Sequence, residues 1–155
     1  MDTISKEKRR WNMQRIRSKD TSPELIVRSF LHRNGFRFRI CDKKLPGKPD
    51  IVLKKYMLII QIRGCFWHQH PGCKRATIPS SNVEYWIPKL QKNVERDKQN
   101  DAILKQSGWR VVIIWECEVK NGRYKNILSD ILHCLWQNCN PQMKRTTRSG
   151  NEIET

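Results

Sequence analysis

Two apolar runs of strand length limit what this chain can fold into. YMLII at 56–60 and WRVVIIWE at 109–116 are too short for a membrane span or a long core helix. The second is almost unbroken, the pattern of a central strand covered on both faces. IVLKKYMLIIQIR predicts two strands joined near Lys54-Lys55, and FRFRI at 36–40 alternates and predicts another. The intervening segments read as helices. In TSPELIVRSFLHRNG, Thr21 or Ser22 can N-cap, Pro23 suits the first turn and Gly35 the C′ position. Leu25, Ile26, Phe30 and Leu31 are expected to face the core, and Glu24 to complement the helix dipole. A helix over 83–107 is stopped by Gly108 and bent or restarted at Pro88, and a last helix covers 124–136. Residues 64–83 form a long irregular segment. The order α-β-β-β-α-β-α predicts an α/β fold, a mixed central sheet flanked by helices.

The 155 residues fit one domain. Lys and Arg number 31 against 15 Asp and Glu, a net charge of +16. A twofold excess points to a polyanionic partner more than to solubility, and nucleic acid is the first choice. An acidic membrane surface is less suited, since no basic amphipathic helix carries a strong apolar face. The N-terminus is basic and polar without an apolar h-region, so a cytoplasmic location is expected. The six cysteines are then reduced thiols or metal ligands. Residues 1–20 are charged, and Met13 and Ile16, three apart, share a face if the segment is helical. A short arm or helix lying on a partner and a plain basic tail both fit.

Carboxylates stand where a core would prefer none. Leu90, Val94, Asp97, Asp101 and Leu104 fall on one face of the long helix, and acids there are costly unless paired or used. Pro49-Asp50, a strand, a turn and then Gln61-Ile62-Arg63 resemble a degenerate PD-(D/E)xK nuclease core. In that core, groups on neighbouring strands converge on a divalent metal. Mg²⁺ requires hard oxygen ligands of this kind, and it can neutralise charge on a reacting phosphate. Pro-Asp alone is also ordinary turn chemistry.

The segment RGCFWHQHPGC at 63–73 concentrates the remaining chemistry. Cys65, Cys73 and Cys117 with one of His68 or His70 make a donor set suited to structural zinc, although C-x₄-H-x₂-C plus a distant Cys is no standard finger. Buried free thiols are the plainer alternative. The other histidine is free to act as a general base. Phe66 and Trp67, pinned between these ligands on a basic surface, suit a wedge that unstacks a base step, and Trp86 can add to it. Trp109 and Trp115 flank a core strand and read as structural.

LPGKPD, GCFWHQHPGC, YWIPKLQKNVERD, GWRVVIIWEC and the arm WNMQRIRSKDTSPE together resemble the very short patch repair (Vsr) DNA mismatch endonucleases, over about residues 8–120. The resemblance implies a PD-(D/E)xK restriction-endonuclease-like fold with one structural Zn²⁺ and a catalytic Mg²⁺. The activity it implies is nicking of one strand beside a T:G mismatch made by deamination of 5-methylcytosine. It implies Asp50 and the main-chain carbonyl of Ile62 as Mg²⁺ ligands, and His68 as general base. Glu24 and Asp97 become outer carboxylates, and Cys65, His70, Cys73 and Cys117 the zinc ligands. Phe66, Trp67 and Trp86 would insert from the major groove, and Met13, with Ile16 beside it, from the minor groove. The implied organisation is a DNA-binding arm at 1–20, an endonuclease domain at 21–139 and a disordered polar tail at 140–155. A bacterial, nucleoid-associated monomer acting on double-stranded DNA is expected, linked functionally to a cytosine-5 methyltransferase and to a repair polymerase and ligase. Ile62-Arg63 departs from the Thr-His frequent in the family. Arg63 takes the place of the PD-(D/E)xK lysine and could stabilise phosphate charge, but it stays protonated and is no base. Gln61 could reach the metal through its amide oxygen, and Pro71-Gly72 lengthens the loop before Cys73. A mismatch-binding relative that no longer cuts and a site-specific restriction-type endonuclease are the rival readings.

Overall fold

Residues 5–139 are described by a computed structural model, and the predicted tail at 140–155 lies outside them. Helices α1 (Lys6–Gln14) and α2 (Ser22–Arg33) precede strands β1 (Arg39–Ile40), β2 (Ile51–Leu53) and β3 (Leu58–Arg63), with a 3₁₀ turn at Lys54–Tyr56. Then follow α3 (Val83–Gln106), β4 (Arg110–Trp115), α4 (Glu116–Lys120) and α5 (Tyr124–Cys139). The four strands form one mixed sheet in the order β1-β2-β3-β4. The first two pairings are antiparallel and β3–β4 is parallel, with α3 as the crossover.

Core packing follows from the alternation of β3. Leu58 and Ile60 join Val27, Leu31, Ile114 and Leu128 in the larger cluster, while Ile59 joins Val52 and Leu104 in a smaller one on the opposite face. The expectation of a central position for 109–116 is corrected: β4 is an edge strand, and β3 lies inside the sheet. Val112 packs against the larger cluster and Val111 against the smaller, so the apolar run reports two covered faces and not a place in the strand order.

Two other expectations are corrected. Leu25 and Ile26 are 51% and 42% exposed, and the buried stripe of α2 is instead Glu24, Val27, Arg28 and Leu31. Of the predicted strand at 36–40, only 39–40 pairs. Phe36 N–H closes α2 by bonding to Leu31 O at 3.0 Å, which turns Phe36 into the core and leaves too few residues for a longer strand. α3 runs through Pro88 without interruption. It ends in the same motif: Gly108 takes φ +87°, and Trp109 N–H bonds to Leu104 O at 3.1 Å. No helix among the described residues is long and apolar enough to cross a membrane.

The parallel register sets up everything that follows. Arg63 lies opposite Trp115, so Gly64-Cys65 and Glu116-Cys117 leave the same end of the sheet side by side.

Candidate active site and metal centre

Adjacent strand ends bring Cys65 and Cys117 together, and the loop after β3 brings the rest. His70 N–H bonds back to Cys65 O at 2.9 Å, and Cys73 N–H to His70 O at 3.2 Å. The ligand atoms of Cys65, His70, Cys73 and Cys117 all lie within 4.8 Å of one another. His70 Nδ1 is 3.7 Å from Cys65 Sγ and 3.4 Å from Cys117 Sγ, so this is the ring atom turned into the cluster. The imidazole is oriented by stacking on Trp115, with centroids 4.1 Å apart and planes 7° from parallel. Burial pushes the Cys65 thiol up, while the Arg75 backbone N–H lowers that of Cys73. Three sulfurs and one imidazole nitrogen converging in a partly buried site match the donors and count that tetrahedral Zn²⁺ takes. Cys41 and Cys134 are not part of this cluster.

His68 therefore points elsewhere, to α3. Its Nδ1 is hydrogen-bonded to Asp97 Oδ2. An ionised carboxylate only accepts, so in this pairing Nδ1 carries the proton, and a neutral ring then keeps a lone pair on Nε2. Asp50, which precedes β2, accepts a bond from Ile62 N–H at 2.8 Å. Burial raises its pKa to about 6, and the Glu24 charge adds to the rise. The Ile62 bond and the positive charge of Arg28 act against it. Because the folded-state value is raised, Asp50 favours the fold while protonated, and that contribution is lost as pH rises from about 4 to about 6. Asp50→Asn is accordingly expected to gain thermal midpoint over the parent across that window and to hold the gain above it. A gain over the parent no larger at pH 8 than at pH 4 would refute a desolvated charge at Asp50.

Glu24 is 4% exposed and more tightly held than a first-turn acid needs to be. It accepts from Asp20 N–H, Thr21 Oγ1 and Arg28 Nη2, each at 2.9 Å. Arg28 also bonds Asp20 at 2.6 Å, tying the end of the arm to the site.

Arg63 and Gln61 lie differently from expectation. Arg63 is 7% exposed, and its Nη2 donates to Asp101 Oδ1 at 2.7 Å, Asp101 Oδ2 at 2.8 Å and Gln61 Oε1 at 3.0 Å. Both side chains are turned onto α3.

The aromatic residues form one cluster. Phe66 and Trp67 centroids are 5.1 Å apart, and Trp86 lies 5.4 Å and 5.9 Å from them. Trp86 is 6% exposed, more deeply set than the half-buried Phe66 and Trp67 that pack against it. A cavity of about 650 Å³ opens beside it, lined on one side by Met13 and Ile16 and on the other by Trp67, Tyr85, Trp86 and Lys89. The arm and the aromatic segment, separate in sequence, thus face one basic-rimmed groove that also includes Lys6, Arg9 and Arg10.

Sequence reasoning named Asp101 as a misplaced acid without giving it a partner, and it passed over Asp20, Arg28 and Asn93. The signal for Asn93 and Asp101 was their spacing of four on either side of Asp97.

Comparison with known proteins places this geometry. The family profile described as DNA mismatch endonuclease Vsr matches residues 1–75. A type II nicking enzyme of Xanthomonas oryzae pv. oryzae, V.XorIIP, is 46% identical over 132 residues, covering 82% of this chain and 96% of its own. V.NmeAIP of Neisseria meningitidis, also called a type II nicking enzyme, is 48% identical, covering 77% of this chain and 85% of its own. The DNA mismatch endonuclease Vsr of Escherichia coli is 42% identical, covering 80% and 78%. Relatives this similar over most of their length settle the family: the chain belongs to the Vsr DNA mismatch endonucleases.

Proposed function

We propose that this chain nicks one strand of double-stranded DNA beside a T:G mismatch left by deamination of 5-methylcytosine, with Mg²⁺ as catalytic cofactor. The observation that carries the reading is the imidazole of His68, held by Asp97 on the loop that leaves β3, the strand whose Ile62 N–H binds Asp50. Asp50 and the Ile62 carbonyl would hold the Mg²⁺ ion, with Glu24 and Asp97 as outer carboxylates. When bound, the ion supplies Lewis-acid stabilisation of the charge that gathers on the phosphate. His68 Nε2 takes a proton from the attacking water, and Asp97 steadies the imidazolium that results. In-line attack forms the new P–O bond and breaks the bond to the 3′ oxygen, leaving a 3′-hydroxyl and a 5′-phosphate.

Cys65, His70, Cys73 and Cys117 would hold Zn²⁺ in a structural role, keeping the 64–73 loop rigid. On this reading the core is PD-(D/E)xK-like, with Asp50 before β2 and Gln61 and Arg63 at the end of β3. Residues 1–20 form the DNA-binding arm and 21–139 the endonuclease domain. Phe66 and Trp67, backed by Trp86, enter from the major groove, and Met13 enters from the minor groove. Selectivity comes from deformation, since a wobble pair is cheaper to unstack than a matched one. The enzyme acts as a monomer in the cytoplasm, after a cytosine-5 methyltransferase and before a repair polymerase and ligase.

The test is incubation with matched and T:G duplexes, with Mg²⁺ or with EDTA. Mg²⁺-dependent nicking of the mismatched strand alone is expected. Binding without nicking would indicate a non-cutting relative, and double-strand cleavage of matched DNA a restriction-type enzyme; either overturns the reading.

A further inference from the structure

We propose that Arg63 and Asp101 form a positioning pair that sets the approach of Asp97 to His68, and that Arg63 is not a phosphate ligand. The inference rests on the reading of His68 as the base. Asn93, Asp97 and Asp101 are spaced by four along α3 and share one face. Each holds a part of the segment 61–68. Asn93 Nδ2 donates to Trp67 O at 3.3 Å, Asp97 binds His68, and Asp101 takes Arg63 and Gln61. The helix is thus fastened by three successive rungs to the end of β3 and the loop beyond it.

The third rung differs from the others in that both partners are charged and nearly buried. The Arg63 and Asp101 side chains are 8% and 13% exposed, and Arg63 Nε is buried with no hydrogen-bond partner. A buried ion pair with an unmet donor is a poor source of stability, and apolar residues of similar size would do as well or better. What it supplies is a fixed geometry. Arg63 is the last residue of β3, anchored opposite Trp115, and Asp101 lies one helical turn beyond Asp97. Locking Asp101 onto that strand end therefore sets how far α3 stands from the sheet at the level of His68. The phosphate role is disfavoured by placement: the side chain is turned onto Asp101 and Gln61 and the residue is 7% exposed. Since one nitrogen makes all three contacts, a lysine Nζ can replace it.

The test compares Arg63→Met, Asp101→Asn, the double variant and Arg63→Lys. One readout is the deshielded Nδ1 proton of His68 in the NMR spectrum of the substrate-free protein, which reports the bond to Asp97. The other is single-turnover nicking, with duplex affinity measured separately. A positioning pair predicts that both single variants lose or shift that resonance and fall about 10–100-fold in rate at unchanged affinity. The double variant should be no slower than either, and Arg63→Lys should keep most of the rate and the resonance. Asp101→Asn at parental rate with the resonance intact overturns the proposal, and this isosteric variant decides the matter if Arg63→Met does not fold. A direct phosphate contact would instead make Arg63→Met slow and Asp101→Asn normal. Because the resonance is read without DNA, a parent protein that fails to nick T:G duplex would refute the functional reading and leave this one to be judged on the spectrum.

Discussion

Asp50→Ala and His68→Ala are each expected to lower nicking at least about a thousandfold while leaving zinc content and mismatch binding near parental levels. Loss of a general base alone accounts for a factor of about 10²–10⁴, and loss of a carboxylate that stabilises transition-state charge is of similar size. The separation of catalysis from binding follows from placement. Asp50 is held against β3 through Ile62 and His68 against α3 through Asp97, whereas the aromatic groove is built from α1, the 64–73 loop and the first turns of α3. His68 contributes no ligand atom to the cysteine cluster, so its truncation leaves that cluster complete. Single-turnover cleavage of a labelled T:G duplex, with affinity measured in EDTA, is the check. Parental cleavage by either variant would remove the proposed active site.

The second large effect is expected from Cys117→Ser, which should reduce bound zinc and lower the thermal midpoint by about 10 °C, equivalent to roughly 3–4 kcal/mol for a chain of this length. Cys117 sits in the first turn of α4, directly after β4, and joins that element to the end of β3 through the shared site. Serine is a far weaker ligand for zinc than thiolate, and binding energy at a structural zinc is folding energy. The remaining donors would also leave the loop bearing Phe66, Trp67 and His68 less constrained, so nicking should fall with stability. Metal analysis and thermal melting of parent and variant measure both. A zinc-free variant as stable as the parent would show that the four residues cluster without serving a metal.

The elements that the sequence announced clearly were those with local chemical punctuation. Pro23 opens α2 and Gly108 closes α3, and both helices lie within two residues of expectation. The three cysteines of the cluster were also legible, whereas the residues alone left His68 and His70 both open and the family resemblance chose His70. The rotation of α2 was not. Its buried stripe of Glu24, Val27, Arg28 and Leu31 has perfect helical spacing, but half of it is charged. A reading that assigns charge to solvent turns the helix toward Leu25 and Ile26. The same bias hid the Arg63–Asp101 pair, whose members are 38 residues apart in sequence and meet only through the β3–α3–β4 crossover. The edge position of β4 was hidden for a different reason. Hydropathy records whether the faces of a strand are covered, while the order of strands is decided by connections.

The parallel alignment of β3 with β4 has a consequence for how the chain matures. Sliding one strand by a single residue would carry Cys117 roughly 3.3 Å along the sheet and reverse the side to which each β4 residue points. No such misaligned form could gather all four donors. Ion capture would therefore act as a proofreading step, rewarding the correct pairing of two segments that are synthesised far apart and giving nothing to their near misses.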